Sequence, residues 1–182
     1  MEKFKKITDS NFEEFMDGSY EDWLADRVYW FLFPMVAESR LLYEQSLIDC
    51  ESPIEQLLSL ELENIGLINT NTYNPYIDVV AIEKQKTIKV KDKKYRVDFF
   101  IPVIYKNQEE IGFIIECDGY DFHQKTKEQV EEDNIRQRKL QKEGYEVIRL
   151  SGTEIYHKPY QCALEVKNII LSKCKYIKDE QH

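Results

Sequence analysis

The sequence predicts a mixed α/β sandwich built on a central sheet. Three observations carry that prediction. Apolar, strand-like runs cluster between residues 76 and 118, in "YIDVVAIEK", "KTIKVKD", "KKYRVDFFIPVIYK" and "IGFIIECD". Helix-start signals stand on both sides of that block. A further strand-like stretch, "YEVIRLSG", falls between two helical ones. The predicted order is helix, three antiparallel-looking strands, a fourth strand, helix, strand, helix.

The elements follow in order. Residues 11 to about 50 carry many helix formers and few alternations, with Pro34 as a break or kink. Trp23, Tyr29, Trp30, Phe31 and Phe33 make this stretch too apolar for a free helix, so it is expected to pack on the main domain, a second copy or a protein partner. Residues 1–50 are therefore read as a helical N-terminal extension, and 51–182 as the α/β domain. In "SPIEQLLSLELENIG", Ser52 caps a helix, Pro53 suits its first turn and Glu55 completes a capping box, with Gly66 as the stop. The hairpin is predicted to turn around Asp92 and Lys93, and "NQEE" to be a turn. A helix spans 124 to 143 and ends at Gly144. Ser151 and Glu154 form a second capping-box pattern, and "PYQCALEVKNIILSKCKYI" closes the chain as an amphipathic helix.

Composition narrows the class. In 182 residues, 42% hydrophobic and 13% aromatic content suffices for a packed core and argues against disorder. No apolar run approaches the roughly 20 residues that span a bilayer, and no apolar segment follows the basic start, so neither membrane nor signal peptide is expected. Cys50, Cys117, Cys162 and Cys174 are widely spaced without a CxxC pair, and read as reduced thiols of a cytoplasmic protein.

The net charge of −9 argues against a nucleic-acid partner until its distribution is seen. Fourteen acids between Asp9 and Glu63 face only Arg27 and Arg40, whereas residues 82–96 carry seven Lys or Arg against Glu83 and Asp92. A basic hairpin holding Lys89, Lys91, Lys93 and Lys94 suits a phosphate backbone. It equally suits a sheet edge protected from aggregation.

The acids inside apolar strands are the stronger signal. Glu116 and Asp118 end the apolar run "IGFII" and share one strand face, with Cys117 on the other. Asp98 stands alone in "YRVDFFIPV". On neighbouring strands, Asp98 and Glu116 converge at one end of the sheet, where they repel and raise each other's pKa. A divalent cation relieves that conflict, and carboxylates with a carbonyl oxygen suit magnesium. The plainer reading of a lone strand acid is an ion-pair partner, with Arg96 or Lys125 at hand.

The ordered series "SPIEQLL", "YRVDFFIP", "IIECDGYDFHQKTKEQ" and "DNIRQRKLQKEGYEVIRLSGTEIY" resembles the PD-(D/E)XK nuclease superfamily, over roughly residues 50 to 175. More narrowly it is similar to small endonuclease-fold domains related to very-short-patch repair endonucleases. The resemblance implies a restriction-endonuclease-like mixed sheet flanked by helices, and a metal-dependent DNA endonuclease. Mg2+ is the implied cofactor, with Mn2+ as its substitute. Asp98 and Glu116 would hold the metal, with the Cys117 carbonyl as a third ligand and Glu55 acting through water. Asp118 stands where many superfamily members carry a catalytic lysine, so Lys125 or His123 would take over activation. Arg136 would contact a phosphate oxygen. DNA is the expected substrate and RNA the alternative. The competing reading is a binding module that keeps the nuclease fold without catalysis.

Overall fold

Ser52, Pro53 and Glu55 start the first described helix as their types dictate. The Ser52 hydroxyl accepts from the Glu55 amide at 3.3 Å, and Pro53 spends its missing N–H where no partner exists. The computed structural model describes residues 47–67, 77–79, 81–105, 109–119 and 126–179. The predicted N-terminal helices, up to residue 46, lie outside them. Helix α1 is Pro53–Asn64, followed by Gly66 at φ +62°, the left-handed stop expected of it. Its residues from Glu55 to Leu62 are all buried, and the polar Gln56 is satisfied by donating to the Leu47 carbonyl at 3.0 Å.

Five strands form one sheet: β1 (Ile77–Val79), β2 (Glu83–Val90), β3 (Lys93–Tyr105), β4 (Glu109–Asp118) and β5 (Glu146–Ser151). Both β1 and β2 pair antiparallel with β3, β3 pairs antiparallel with β4, and β4 pairs parallel with β5. Three boundaries differ from expectation. The first two strands break between Val79 and Glu83, so Glu83 and Lys84 begin β2. The hairpin turns at Lys91 and Asp92, one residue earlier than predicted, because Lys91 takes the left-handed backbone (φ +54°) that a two-residue loop requires. Glu109 and Glu110 extend β4 instead of forming a turn, since they pair with Tyr105 and Ile104.

Helix α2 (Lys127–Lys142) begins after Thr126, whose hydroxyl and Gln129 close a capping box that the sequence reading did not single out. Helix α3 (Gly152–His157) carries the predicted Ser151–Glu154 box, and α4 (Pro159–Asp179) follows at once. Helices α1, α3 and α4 cover one sheet face, burying Leu57, Leu58, Ile155, Val166 and Ile170 against Phe99, Ile101, Phe113 and Ile115. Helix α2 lies on the other face, where Leu140 meets Phe100, Ile114, Ile88 and Val97. Gly112 leaves room there for Phe100 and Tyr145, which stack edge-on at 6.0 Å; a Cβ would stand 2.7 Å from both rings. The mixed α/β architecture is therefore the one expected. All four cysteines are free, and among the described residues no helix is long and apolar enough to cross a membrane.

One departure from regular alternation matters for the site. Tyr95 and Val97 face the α2 layer, whereas Phe99, Ile101 and Val103 face the main core. An unbroken strand would keep all five on one side. The neighbouring chain does the same: Ile82, just before β2, packs on the main core, and Ile88 and Val90 of β2 on the α2 layer. Both strands thus change faces between the pairs Lys84–Phe99 and Lys86–Val97, at Gln85 and Asp98. Gln85 has φ +50°, which costs a non-glycine residue about 1 kcal/mol or more.

Candidate active site

Two strands and two helices bring a set of acids to one end of the sheet. The Phe99–Ile115 pairing, extended by one residue, sets Asp98 across from Glu116 on adjacent strands. Asp98 Oδ2 accepts the Cys117 amide at 2.7 Å, which pins the carboxylate against β4. Burial pushes the Asp98 pKa up, the Cys117 amide bond opposes the rise, and the negative charges of Glu55 and Asp118 add to it. Glu116 is pushed further, to about 7; burial is the main cause, Arg136 opposes it and Asp98 reinforces it. Asp98 thus adds to the shift of Glu116, whereas the acids that add to the shift of Asp98 are Glu55 and Asp118.

Two arginines answer the crowding. Arg136 on α2 clasps Glu116, with Nη2 donating to Oε1 at 2.7 Å and Nη1 to Oε2 at 3.3 Å, while Nη2 also reaches the Arg96 carbonyl at 2.5 Å. Arg149, which β4–β5 pairing sets beside Glu116, takes Asp118 instead, through Nε at 2.9 Å and Nη2 at 2.5 Å. Its Nη2 is also 3.9 Å from Asp133 on α2. The hydrogen bond to Asp118 raises the Arg149 pKa further.

Glu55 has its own donors. Oε1 accepts the Ser52 hydroxyl at 2.7 Å, and Oε2 accepts the Glu51 amide at 2.9 Å and Gln85 Nε2 at 2.7 Å. The cap thus reaches one residue further back than a standard capping box, and the strained Gln85 is what ties it to β2. Cys117 points into the main core, as alternation predicts, and burial there drives its thiol pKa well above the usual range.

The remaining predicted residues divide. His123 and Lys125 lie outside the described residues. Of the hairpin lysines, Lys89 and Lys94 stand directly opposite each other on one face, Lys93 pairs with Val90 on the other, and Lys91 occupies the turn. All four are exposed. Arg96 shares the Lys94 face and pairs with Glu51. Arg149 and Gln85 were not singled out from the sequence. Arg149 sits inside the apolar run "VIRL", the same mark that exposed Asp98. Gln85 carries no such mark.

The donor set suits a hard cation: carboxylate oxygens of Asp98 and Glu116, beside the backbone of Cys117, at a site where negative charge is already in excess. In the present arrangement Arg136 engages the Glu116 oxygens and the Cys117 amide engages Asp98. Among the described residues no group of three or more His, Cys, Asp or Glu is drawn together closely enough to hold a metal ion. A cation would therefore need Glu116 to turn from Arg136.

Comparison with known proteins gives one match. No curated protein and no solved structure matches the chain. The family model described as REase_MTES_1575 matches residues 78–170, from β1 through most of α4, and so spans Asp98, Glu116, Asp118, Arg136 and Arg149. That segment is just over half of the sequence, and the sheet flanked by helices is the architecture expected of such a domain. The chain belongs to the restriction-endonuclease-like family REase_MTES_1575.

Proposed function

We propose that the protein is a divalent-metal-dependent nuclease that hydrolyses phosphodiester bonds in DNA, with Asp98 and Glu116 holding the cation. One observation carries the reading: two half-buried acids stand across from each other on adjacent strands, both with raised pKa and Asp98 adding to the rise of Glu116, at the end of a restriction-endonuclease-like sheet. Nucleases of this type generally use divalent metals, and the hard oxygen donors favour Mg2+ or Mn2+. The Cys117 carbonyl is the third candidate ligand. Glu55, with three protein donors on its oxygens, acts through the charge it adds beside Asp98. When bound, the cation would neutralise charge developing on the phosphoryl oxygens. Asp98 and Glu116 orient the site. Lys125 or His123 supplies the proton-handling group that Asp118, locked by Arg149, does not. The Glu-x-Asp-Gly form at 116–119 supports placement near the very-short-patch-repair-like branch.

A second reading has an observation behind it. Arginine pairing of Glu116 and Asp118 is also what a retired site would show, leaving a nucleic-acid-binding module. Incubating the purified protein with duplex, mismatched, branched and single-stranded DNA, and with RNA, in Mg2+ or Mn2+ separates the two. Cleavage that needs the metal and disappears in Asp98→Asn supports the nuclease. DNA binding without cleavage of any of these substrates, in either metal, supports the module.

The hairpin is the proposed phosphate contact. Like charges directly opposite on paired strands oppose hairpin formation, so the facing Lys89 and Lys94 suggest a polyanion that uses them. Replacing both with Ala is expected to lower the slope of log Kobs against log salt by about 1 to 2, close to one unit per lost phosphate contact. An unchanged slope would return the hairpin to a solubilising edge.

A further inference from the structure

Arg136 holds a carboxylate that the proposed cation also needs. Its guanidinium takes both oxygens of Glu116, and the same Nη2 donates to the Arg96 carbonyl two residues before Asp98. Arg149, next to Glu116 across β4 and β5, is committed to Asp118 and Asp133. Arg136 is thus the guanidinium that satisfies Glu116. It is carried by α2, a helix in which Leu140 is the buried residue and which also reaches the sheet through charged contacts from Asp133 and Arg136 itself. A helix attached in this way gives up a single ionic contact at little cost to the core.

A guanidinium and a dication drawn to one carboxylate repel each other, so each weakens the other's hold. A phosphodiester offers Arg136 a second two-oxygen partner, since its non-bridging oxygens accept the same two-pronged grip. We propose that Arg136 couples nucleic-acid binding to cation binding. In the absence of a polyanion it occupies Glu116; a backbone phosphate draws the guanidinium away and releases the carboxylate to the metal. The coupling is reciprocal, so the cation strengthens nucleic-acid binding by the same factor. This rests on the metal-dependent nuclease reading and adds an order to it, in which substrate recruits the ion.

The test is a Mn2+ titration of the full chain, followed by the paramagnetic signal of free ion, with and without a phosphorothioate DNA duplex that resists cleavage. Glu116→Gln with duplex measures the ion held by the DNA itself. In the wild-type protein the duplex is expected to raise Mn2+ affinity at least about fivefold, the lower end of ordinary couplings. Arg136→Gln should bind Mn2+ more tightly than wild type without duplex, and gain little when duplex is added. Arg136→Lys keeps the charge and guards against a folding defect; lacking the two-pronged grip, it should show a reduced enhancement. Two results overturn the coupling while leaving the nuclease reading intact: Glu116-dependent Mn2+ binding that duplex does not change, or an Arg136→Gln enhancement equal to that of wild type. Mn2+ uptake no greater than in Glu116→Gln, with and without duplex, overturns the nuclease reading itself and the coupling with it.

Discussion

Glu116→Gln is expected to abolish the proposed metal-dependent cleavage, by at least about a thousandfold, and to leave a folded protein. The amide keeps the shape of the side chain and removes the charge on which a hard cation depends. A loss of that size is about 4 kcal/mol of transition-state stabilisation, in the range of other electrostatic groups at reacting centres. The folded state should change in the opposite sense. Glu116 titrates near 7 in the fold against an ordinary 4.5, so between those values the folded chain keeps a proton that the unfolded chain has released. Stability without metal therefore falls as pH rises from about 4.5 to 7. The Gln variant lacks that slope, and above pH 7 it should be the more stable protein by about 1 to 3 kcal/mol, after Arg136 loses its partner. Urea unfolding in chelator at several pH values reads this directly. Wild-type cleavage by the purified variant, in preparations cleared of contaminating nuclease, would end the catalytic reading.

The second large effect is expected at Arg149. Replacing it with Met keeps most of the side-chain volume but strips Asp118 of a two-pronged partner and Asp133 of a nearby charge. Asp118, whose charge already raises the Asp98 pKa, then has one fewer positive charge beside it. Losing one partner of a fully buried pair costs about 3 to 5 kcal/mol; the Arg149 side chain is 23% exposed, which reduces the expected loss to about 2 to 3 kcal/mol. Asp118→Asn in the Arg149→Met background should recover part of that loss, giving a non-zero coupling in a double-mutant cycle. The same pair of variants decides what Asp118 does. If Arg149 serves only to hold Asp118 in place, the double variant is expected to regain cleavage along with stability. An Arg149→Met protein as stable as wild type would remove the ion pair from any account of the site.

That Asp98 and Glu116 meet at one end of the sheet was legible in the sequence, because each is a charge set in an apolar strand; the ion pair that the plainer reading expected is there too, made to Glu116 by Arg136 and not by Arg96 or Lys125. Arg149 obeys the same rule, yet its strand is short and its neighbours less strongly apolar. Its role depends on β4 and β5 lying side by side in parallel, a long-range pairing that no local pattern encodes. Glu55 looked like both a cap and a ligand, and the structure accounts for its oxygens through the cap and Gln85. The hairpin turn fell one residue from its expected place because Lys91 adopts a backbone that glycine or asparagine usually announces. Gln85 was illegible for the same reason: a left-handed glutamine leaves no mark. For Arg136 the resemblance implied a phosphate partner. Its grip on Glu116 depends on how α2 docks, which a helix this polar does not reveal through periodicity.

The change of face at Gln85 and Asp98 has a consequence for how such an arm can vary in length. Two backbone irregularities bracket the outer half of β2, Gln85 at its base and Lys91 at its tip, with the five residues 86 to 90 between them. Along that stretch each step of one residue exchanges the lysine-bearing side for the side that packs under α2. Adding one residue to each strand would leave the turn intact and yet invert every position beyond the insertion, carrying Ile88 into solvent and Lys89 against Leu140. Adding two would preserve both faces and move the cations outward by roughly 7 Å, about two strand residues. The arm is in effect a ruler graduated in pairs: evolution or a designer can reset how far from the acids the lysines stand, but only in whole repeats of the pleat.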